Sequence, residues 1–412
     1  MNPSGRTRAV SRDSTEGPLG MHIPGFGELL SKQGYARSTA HQKIHLITDL
    51  DHWLRRRKIE VAVLDEEQAI RFLSQRQTRG QSRRGDPATV RALLRYLRAA
   101  GIVAAPVLEA QPSALDRILT TFAEYLITER GLRPATVRHY RSEVGQFLSH
   151  RFEAKDPLLS NLSAQDVTQF VLWRASVVSP RRAQALTGAL RSFLRFLHQR
   201  GDISIDLAGV VPTVANWRLS GLPRFLTPEE THRLLQACNP ETLAGRRDYA
   251  ILLLLARLGL RAAEVVHMTL EDIDWDAGEL VISGKSRRED RLPLPKDVGK
   301  ALAQYLRNGR PRCSSRRVFI RLSAPHEGFS SSVAICNVVR RALSRAALNP
   351  AFKGSHLLRH SLGTRMLRAG ASMAEIGQIL RHRSANTTEI YAKVDLIALR
   401  ALAQPWPEVR HE

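Results

Sequence analysis

The chain has 412 residues, room for two or three domains, and with 43% hydrophobic and 25% charged residues each domain can bury an ordinary core. Lys and Arg number 62 against 39 Asp and Glu, a net charge of +23, which calls for a polyanionic partner because such side chains displace counterions from a phosphate backbone. No run of about 18 apolar residues is present to span a bilayer, and Cys238, Cys313 and Cys336 lack metal-binding spacing and read as small hydrophobes in a reducing cytosol.

Residues 1–22, rich in Ser, Gly, Arg and Thr, read as a flexible arm. Two stretches that follow resemble each other. Leu93-Leu94-Arg95-Tyr96-Leu97 before Gly101 matches Phe193-Leu194-Arg195-Phe196-Leu197 before Gly201, and Gly34 with Ser38-Thr39 answers Gly131 with Ala135-Thr136. The spacing predicts a duplicated helical module, one copy over 23–104 and the other over 112–206. Thr39 and Thr136 are read as N-caps, and Val137, Tyr140, Val144, Phe147 and Leu148 share one helix face. Asp65-Glu66-Glu67 and Ser163-Ala164-Gln165-Asp166 open the third helix of each copy with acidic groups at its positive end. The basic runs Arg55 to Lys58 and Arg79 to Arg84 fit DNA contact, although a solvated helix face explains them nearly as well.

A linker is expected over 207–223, where Pro212, Gly221 and Pro223 break helical periodicity, and a last domain over 224–412. It opens with a capping box at Thr227-Pro228-Glu229-Glu230 and a buried helix from Tyr249 to Gly259. Two strand signals, Gly278 to Ser283 and Asp290 to Leu294, flank a basic turn at Gly284-Lys285-Ser286-Arg287-Arg288. From Ser332 to Arg400 the pattern is helical again.

Polar groups in this domain suit one chemistry. Arg261 follows the apolar helix, where a guanidinium must be paired or functional; Glu264 offers it a purely structural partner. Lys285 at a hairpin tip is as easily a solvated charge. His356 and Arg359 share a helix face. His356 and His360 have the spacing of a metal pair, but the glutamate of an H-E-x-x-H zinc site is absent, so no metal or other cofactor is expected. His382 precedes Tyr391, which in its polar stretch also reads as an ordinary surface tyrosine. Transesterification of a phosphodiester would employ all of them: two arginines on the non-bridging oxygens, His356 receiving the proton of a tyrosine nucleophile, and Lys285 returning one to the leaving oxygen.

The ordered series Arg261, Lys285, His356, Arg359, His382 and Tyr391, with Arg247-Asp248-Tyr249-Ala250 upstream, resembles the tyrosine recombinase (phage integrase) family, from about Leu115 onward. The resemblance implies a mainly α fold with a small β-sheet: a helical, SAM-like core-binding domain and a mixed α/β catalytic domain clamping duplex DNA. It implies that Arg261 and Arg359 bind the scissile phosphate and that His382 hydrogen-bonds it. Lys285 would be the general acid, His356 would assist proton transfer, and Tyr391 would form a 3′-phosphotyrosyl link. It further implies a homotetramer on DNA in the cytoplasm, or an assembly shared with related recombinases, with Leu396, Leu399 and Leu402 docking the tail on a neighbouring subunit.

The extra N-terminal copy favours an integrase or transposase of a mobile element over a Xer-type resolvase of replicon dimers. A type IB topoisomerase uses a similar residue set, but the spacing from Arg359 to His382 and Tyr391 argues against it. A non-catalytic accessory protein is disfavoured by six intact positions, and a metal-dependent nuclease by the lack of clustered carboxylates.

Overall fold

Both stretches that the sequence pairs fold as four helices. The computed structural model describes residues 17–105, 113–152, 157–215, 224–283, 289–382 and 384–394. The first stretch holds α1 (Ile23–Lys32), α2 (Arg37–Arg57), α3 (Glu66–Thr78) and α4 (Asp86–Ala99). Phe26, Leu50, Leu54, Phe72, Leu93 and Leu97 meet in its core. The second holds α5 (Ala114–Thr128), α6 (Pro134–Phe152), α7 (Ala164–Val177) and α8 (Pro180–Arg200), packed around Phe122, Phe147, Phe170 and Phe193.

The shared motif lands alike in both, on the inner face of the fourth helix. The glycine after it takes a left-handed turn in each copy, with φ 71° at Gly101 and 75° at Gly201. Asp65 accepts from the Gln68 N–H, and Ser163 forms a capping box with Asp166, so both third helices start where their acidic residues place them. The two threonines do not cap. Helix α2 begins at Arg37 after an extended Ala36, and α6 begins at Pro134, whose fixed φ suits a first helical residue. Thr39 and Thr136 therefore lie inside the first turns.

Val107–Ser220 forms a compact unit of its own, while Met1–Pro106 and Gly221–Glu412 cluster together in another. Within the latter unit the two parts keep separate cores but touch, the His326 N–H donating to the Gln33 carbonyl at 2.9 Å.

The C-terminal part begins with α9 (Pro228–Gln236), started by the expected capping box of Thr227 and Glu230. Helix α10 (Leu243–Arg257) is sheathed by its neighbours, its residues 250–256 all buried, as a run without polar alternation requires. Then come α11 (Ala262–His267) and an antiparallel sheet of β1 (Ile273–Asp274), β2 (Glu279–Ser283) and β3 (Glu289–Pro293) in that order. Leu280 faces Leu292 across the hairpin and Ser283 faces Glu289. Helices α12 (Lys296–Asn308), α13 (Ser332–Arg345), α14 (His356–Arg368) and α15 (Met373–Ile379) follow, and a 3-10 turn covers Glu389–Val394.

The fold is thus mainly helical with a small sheet. Two expectations are corrected. Residues 17–22 of the expected arm are packed, with Leu19 buried in the first core and its N–H donating to Asp51 Oδ1. The start of the expected linker is packed too, with Leu207, Ala208 and Val211 in the second core. The arm up to residue 16, the later part of the linker (216–223), Lys285 with its hairpin tip, and the tail with Leu396, Leu399 and Leu402 lie outside the described residues. No helix among the described residues is long and apolar enough to cross a membrane.

Candidate active site

The chain leaves α10 through Gly259, whose φ of +59° and close approach to Leu380 (2.7 Å from a Cβ at that position) leave no room for a side chain. That turn makes Arg261 the N-cap of α11. Its backbone N–H donates to Glu264 Oε2 and its Nη1 to Glu264 Oε1, both at 2.8 Å, while Nη2 donates to the Arg381 carbonyl at 3.0 Å. The pairing with Glu264 does not enclose this guanidinium, since the Arg261 side chain stays 32% exposed.

Arg359, on the first turns of α14, is almost wholly buried and donates to the carbonyls of Gly259 and Leu380. Burial, with the positive charges of Arg261 and Arg381 beside it, lowers its pKa to about 10. Glu264 is the compensating carboxylate. Burial alone would raise it, but the Arg381 charge and the hydrogen bonds from Arg261 outweigh that and hold it below its ordinary value. Arg381 itself donates to Glu264 Oε2 at 2.7 Å.

Tyr391 lies near Arg359 and is 1% exposed. Its ring rests on Gly363, where a Cβ would stand 2.4 Å from Cζ, so only glycine admits the tyrosine. Its hydroxyl is hydrogen-bonded to His360 Nδ1 at 3.1 Å, the phenol donating when that nitrogen carries no proton. Burial pushes the phenol up to about 12, against the pull of Arg359. His360 is lowered to about 4 by burial and by His356 and Arg359, so at neutral pH its ring is uncharged and able to accept the hydrogen bond of the phenol. The His382 ring lies parallel to Tyr391, centroids 6.5 Å apart, and its Nδ1 is bonded to the buried Thr388 hydroxyl at 2.8 Å. It too is lowered to about 4, first by burial and then by Arg359 and Arg261.

The structure therefore brings Arg261, Arg359, His382 and Tyr391 together. His356 starts α14 on an exposed face, its ring 6.4 Å from that of His360, so the histidine in contact with the phenol is His360. The sequence offers His360 only as half of a metal pair. Its position one helical turn after His356 is visible there, but its inward face depends on how α14 packs. Glu264 as a hub, Arg381 and Thr388 carry no pattern that distinguishes them from ordinary surface residues.

Comparison with known proteins bears on these groups. Residues 224–396 match the phage integrase family, and residues 119–201 match the phage integrase N-terminal SAM-like domain. The chain is 44% identical to the putative integrase/recombinase y4rA of Sinorhizobium fredii over 97% of both proteins, so that match runs through α1 to α4 as well. Among solved structures it is similar to the XerH site-specific recombinase bound to a palindromic difH substrate in a post-cleavage complex. That likeness has a TM-score of 0.58 at 16% identity, over 73% of this chain and 98% of XerH. A lambda integrase tetramer bound to a Holliday junction gives 0.51 at 18%, over 80% and 90%.

Proposed function

We propose that this chain, which belongs to the phage integrase family of tyrosine recombinases, cuts and rejoins DNA through Tyr391 at the site described above. The observation that carries this reading is the burial of one phenol between a neutral histidine and the Arg359 guanidinium. A diester phosphate seated on Arg261 and Arg359 presents phosphorus to the Tyr391 oxygen. The Oη–P bond forms as the bond to the 5′ oxygen breaks, leaving a 3′-phosphotyrosyl link that stores the bond energy for rejoining. The phenolic proton passes to His360, with His356 one turn away to relay it. His382 hydrogen-bonds the phosphate, and Lys285 returns a proton to the 5′ oxygen. Because Tyr391 is covered, the segment 389–394 must open before a phosphate reaches it.

DNA covalently trapped on the protein in cells and sequenced gives the crossover sequence, and a nicked duplex of that sequence then captures the cut intermediate. Wild type is expected to accumulate a covalent complex without added divalent metal, and Tyr391→Phe none. An adduct that survives Tyr391→Phe would place the nucleophile elsewhere. The same map tests a mobile-element role, favoured by the extra N-terminal helical module: trapped sites at the ends of a repeated element support it, and a single replicon locus points to dimer resolution. We also propose a homotetramer on DNA, like the lambda integrase tetramer bound to a Holliday junction; light scattering of the trapped assembly should return four protomers.

The domains are proposed as an arm (1–16), an N-terminal module (17–104), a core-binding domain (112–211), a linker (212–223) and a catalytic domain (224–412). The N-terminal module supplies a second grip on the DNA backbone. Its α2 and α3 and the connection to α4 line an open groove of about 820 Å³ with Arg56, Arg57, Arg76, Arg79 and Arg83. The matching helix of the other module, α6, lines a groove of about 670 Å³ with Arg138 and Arg141. Replacing Arg56, Arg79 and Arg83 by Gln should flatten the dependence of log Kd on log salt by about 0.9 for each phosphate the module no longer neutralises. An unchanged slope would remove this module from the DNA interface.

A further inference from the structure

We propose that Arg381 is a third phosphate-binding guanidinium of this site, placed to neutralise charge that appears only as the phosphate is attacked. The inference rests on the active-site reading above.

Arg381 is unusual in backbone and in side chain. It adopts φ +52°, a left-handed conformation that side chains with a Cβ avoid, and its neighbours exploit that bend. The Leu380 carbonyl accepts from Arg359 and the Arg381 carbonyl from Arg261, so both phosphate-binding arginines are anchored to this dipeptide. The side chain grows from the same point, 7% exposed, and spends one nitrogen on Glu264. Its Nε and Nη1 are buried and donate to nothing among the described residues; besides Glu264, Asp290 on β3 stands 3.8 Å from Nε, within ion-pair range but beyond hydrogen-bond reach. Burying a cation with idle donors beside two like charges weakens the resting protein. An acceptor that arrives with the substrate removes that penalty, and phosphate oxygens are acceptors of the right charge.

The charge balance says when the acceptor matters. Arg261 and Arg359 against Glu264 leave one positive charge, which matches a diester phosphate. Arg381 adds a third positive charge, balanced only across 3.8 Å by the partly exposed Asp290 carboxylate, to meet the second negative charge of the pentacoordinate phosphorus formed when Tyr391 attacks. A group that completes neutralisation only in that state accelerates cleavage rather than tightening binding.

The experiment uses the full chain and the nicked duplex of trapped sequence, made once with an ordinary scissile phosphate and once with a methylphosphonate there. In the latter a methyl replaces one charged non-bridging oxygen. Arg381→Gly keeps the left-handed turn while removing the guanidinium. It should slow single-turnover cleavage of the ordinary phosphate by about 10²-fold and that of the methylphosphonate by only a few-fold. Arg381→Lys retains the charge, and should lie between wild type and Arg381→Gly on the ordinary phosphate. Equal losses on both substrates would reduce Arg381 to a structural tie, and no loss on either would remove it from the reaction. Those outcomes leave the nucleophile intact. An adduct persisting in Tyr391→Phe would instead overturn the active-site reading and this inference with it.

Discussion

Arg359→Ala is expected to lower single-turnover strand cleavage by about 10³-fold while leaving the melting temperature within a few degrees of wild type. The first half follows from position. Arg359 is fixed through the Gly259 and Leu380 carbonyls beside Tyr391, and a guanidinium held on both sides undergoes little rearrangement when it meets phosphate. The second half is a contest between two terms. Removing the side chain leaves two carbonyls short of donors, at about 1–3 kcal/mol for each buried group. Against this, the surroundings lower the Arg359 pKa from 12.5 to about 10, so holding that charge costs about 3 kcal/mol. The terms are of one size and opposite sign, which is why activity and stability should separate. Arg359→Lys should recover little, because an ammonium cannot bridge two carbonyls and a phosphate with the planar fork of arginine. A variant that unfolds would make Arg359 chiefly a bolt between the turn at Gly259 and Leu380.

Much of this arrangement can be read from the residues alone, for a physical reason. Capping residues, apolar faces and the paired strand signals are local, so α9, the hairpin and the repeated helices follow from near neighbours. Arg261, Arg359, His382 and Tyr391 stand out because their types suit phosphate chemistry in that order. What escapes such a reading depends on distant packing. His360 turns inward because α14 lies beneath the 3-10 turn carrying Tyr391, 31 residues away, and no helical periodicity encodes that. Arg381 looks like one more basic residue between Leu380 and His382, since a left-handed backbone at a non-glycine leaves no trace in sequence. The starts of α2 and α6 are displaced because an extended alanine and a proline can begin a helix without a threonine cap.

Glu264 is the position where a single substitution should cost most stability. Its carboxylate, 7% exposed, binds the Arg261 guanidinium and backbone N–H and the Arg381 guanidinium. Glu264→Ala leaves three neighbouring guanidiniums with no counter-charge from this residue, and breaking a buried pair from one side costs about 3–5 kcal/mol. Urea denaturation should show a loss of that order. Glu264→Gln keeps an oxygen for the Arg261 backbone N–H and should lose less. The pH dependence carries the same signature. The Glu264 pKa is lowered on folding, so its stabilisation is fully present above the ordinary value of 4.5 and is lost as pH falls through the lowered one. The part of the acid destabilisation that Glu264 causes should therefore disappear in Glu264→Gln. If Arg381 is the cation most dependent on this carboxylate, Arg381→Gly in the Glu264→Gln background should cost less than in wild type, or even restore stability. Strictly additive losses in that double-mutant cycle would mean that the two side chains do not share the energy their 2.7 Å contact implies.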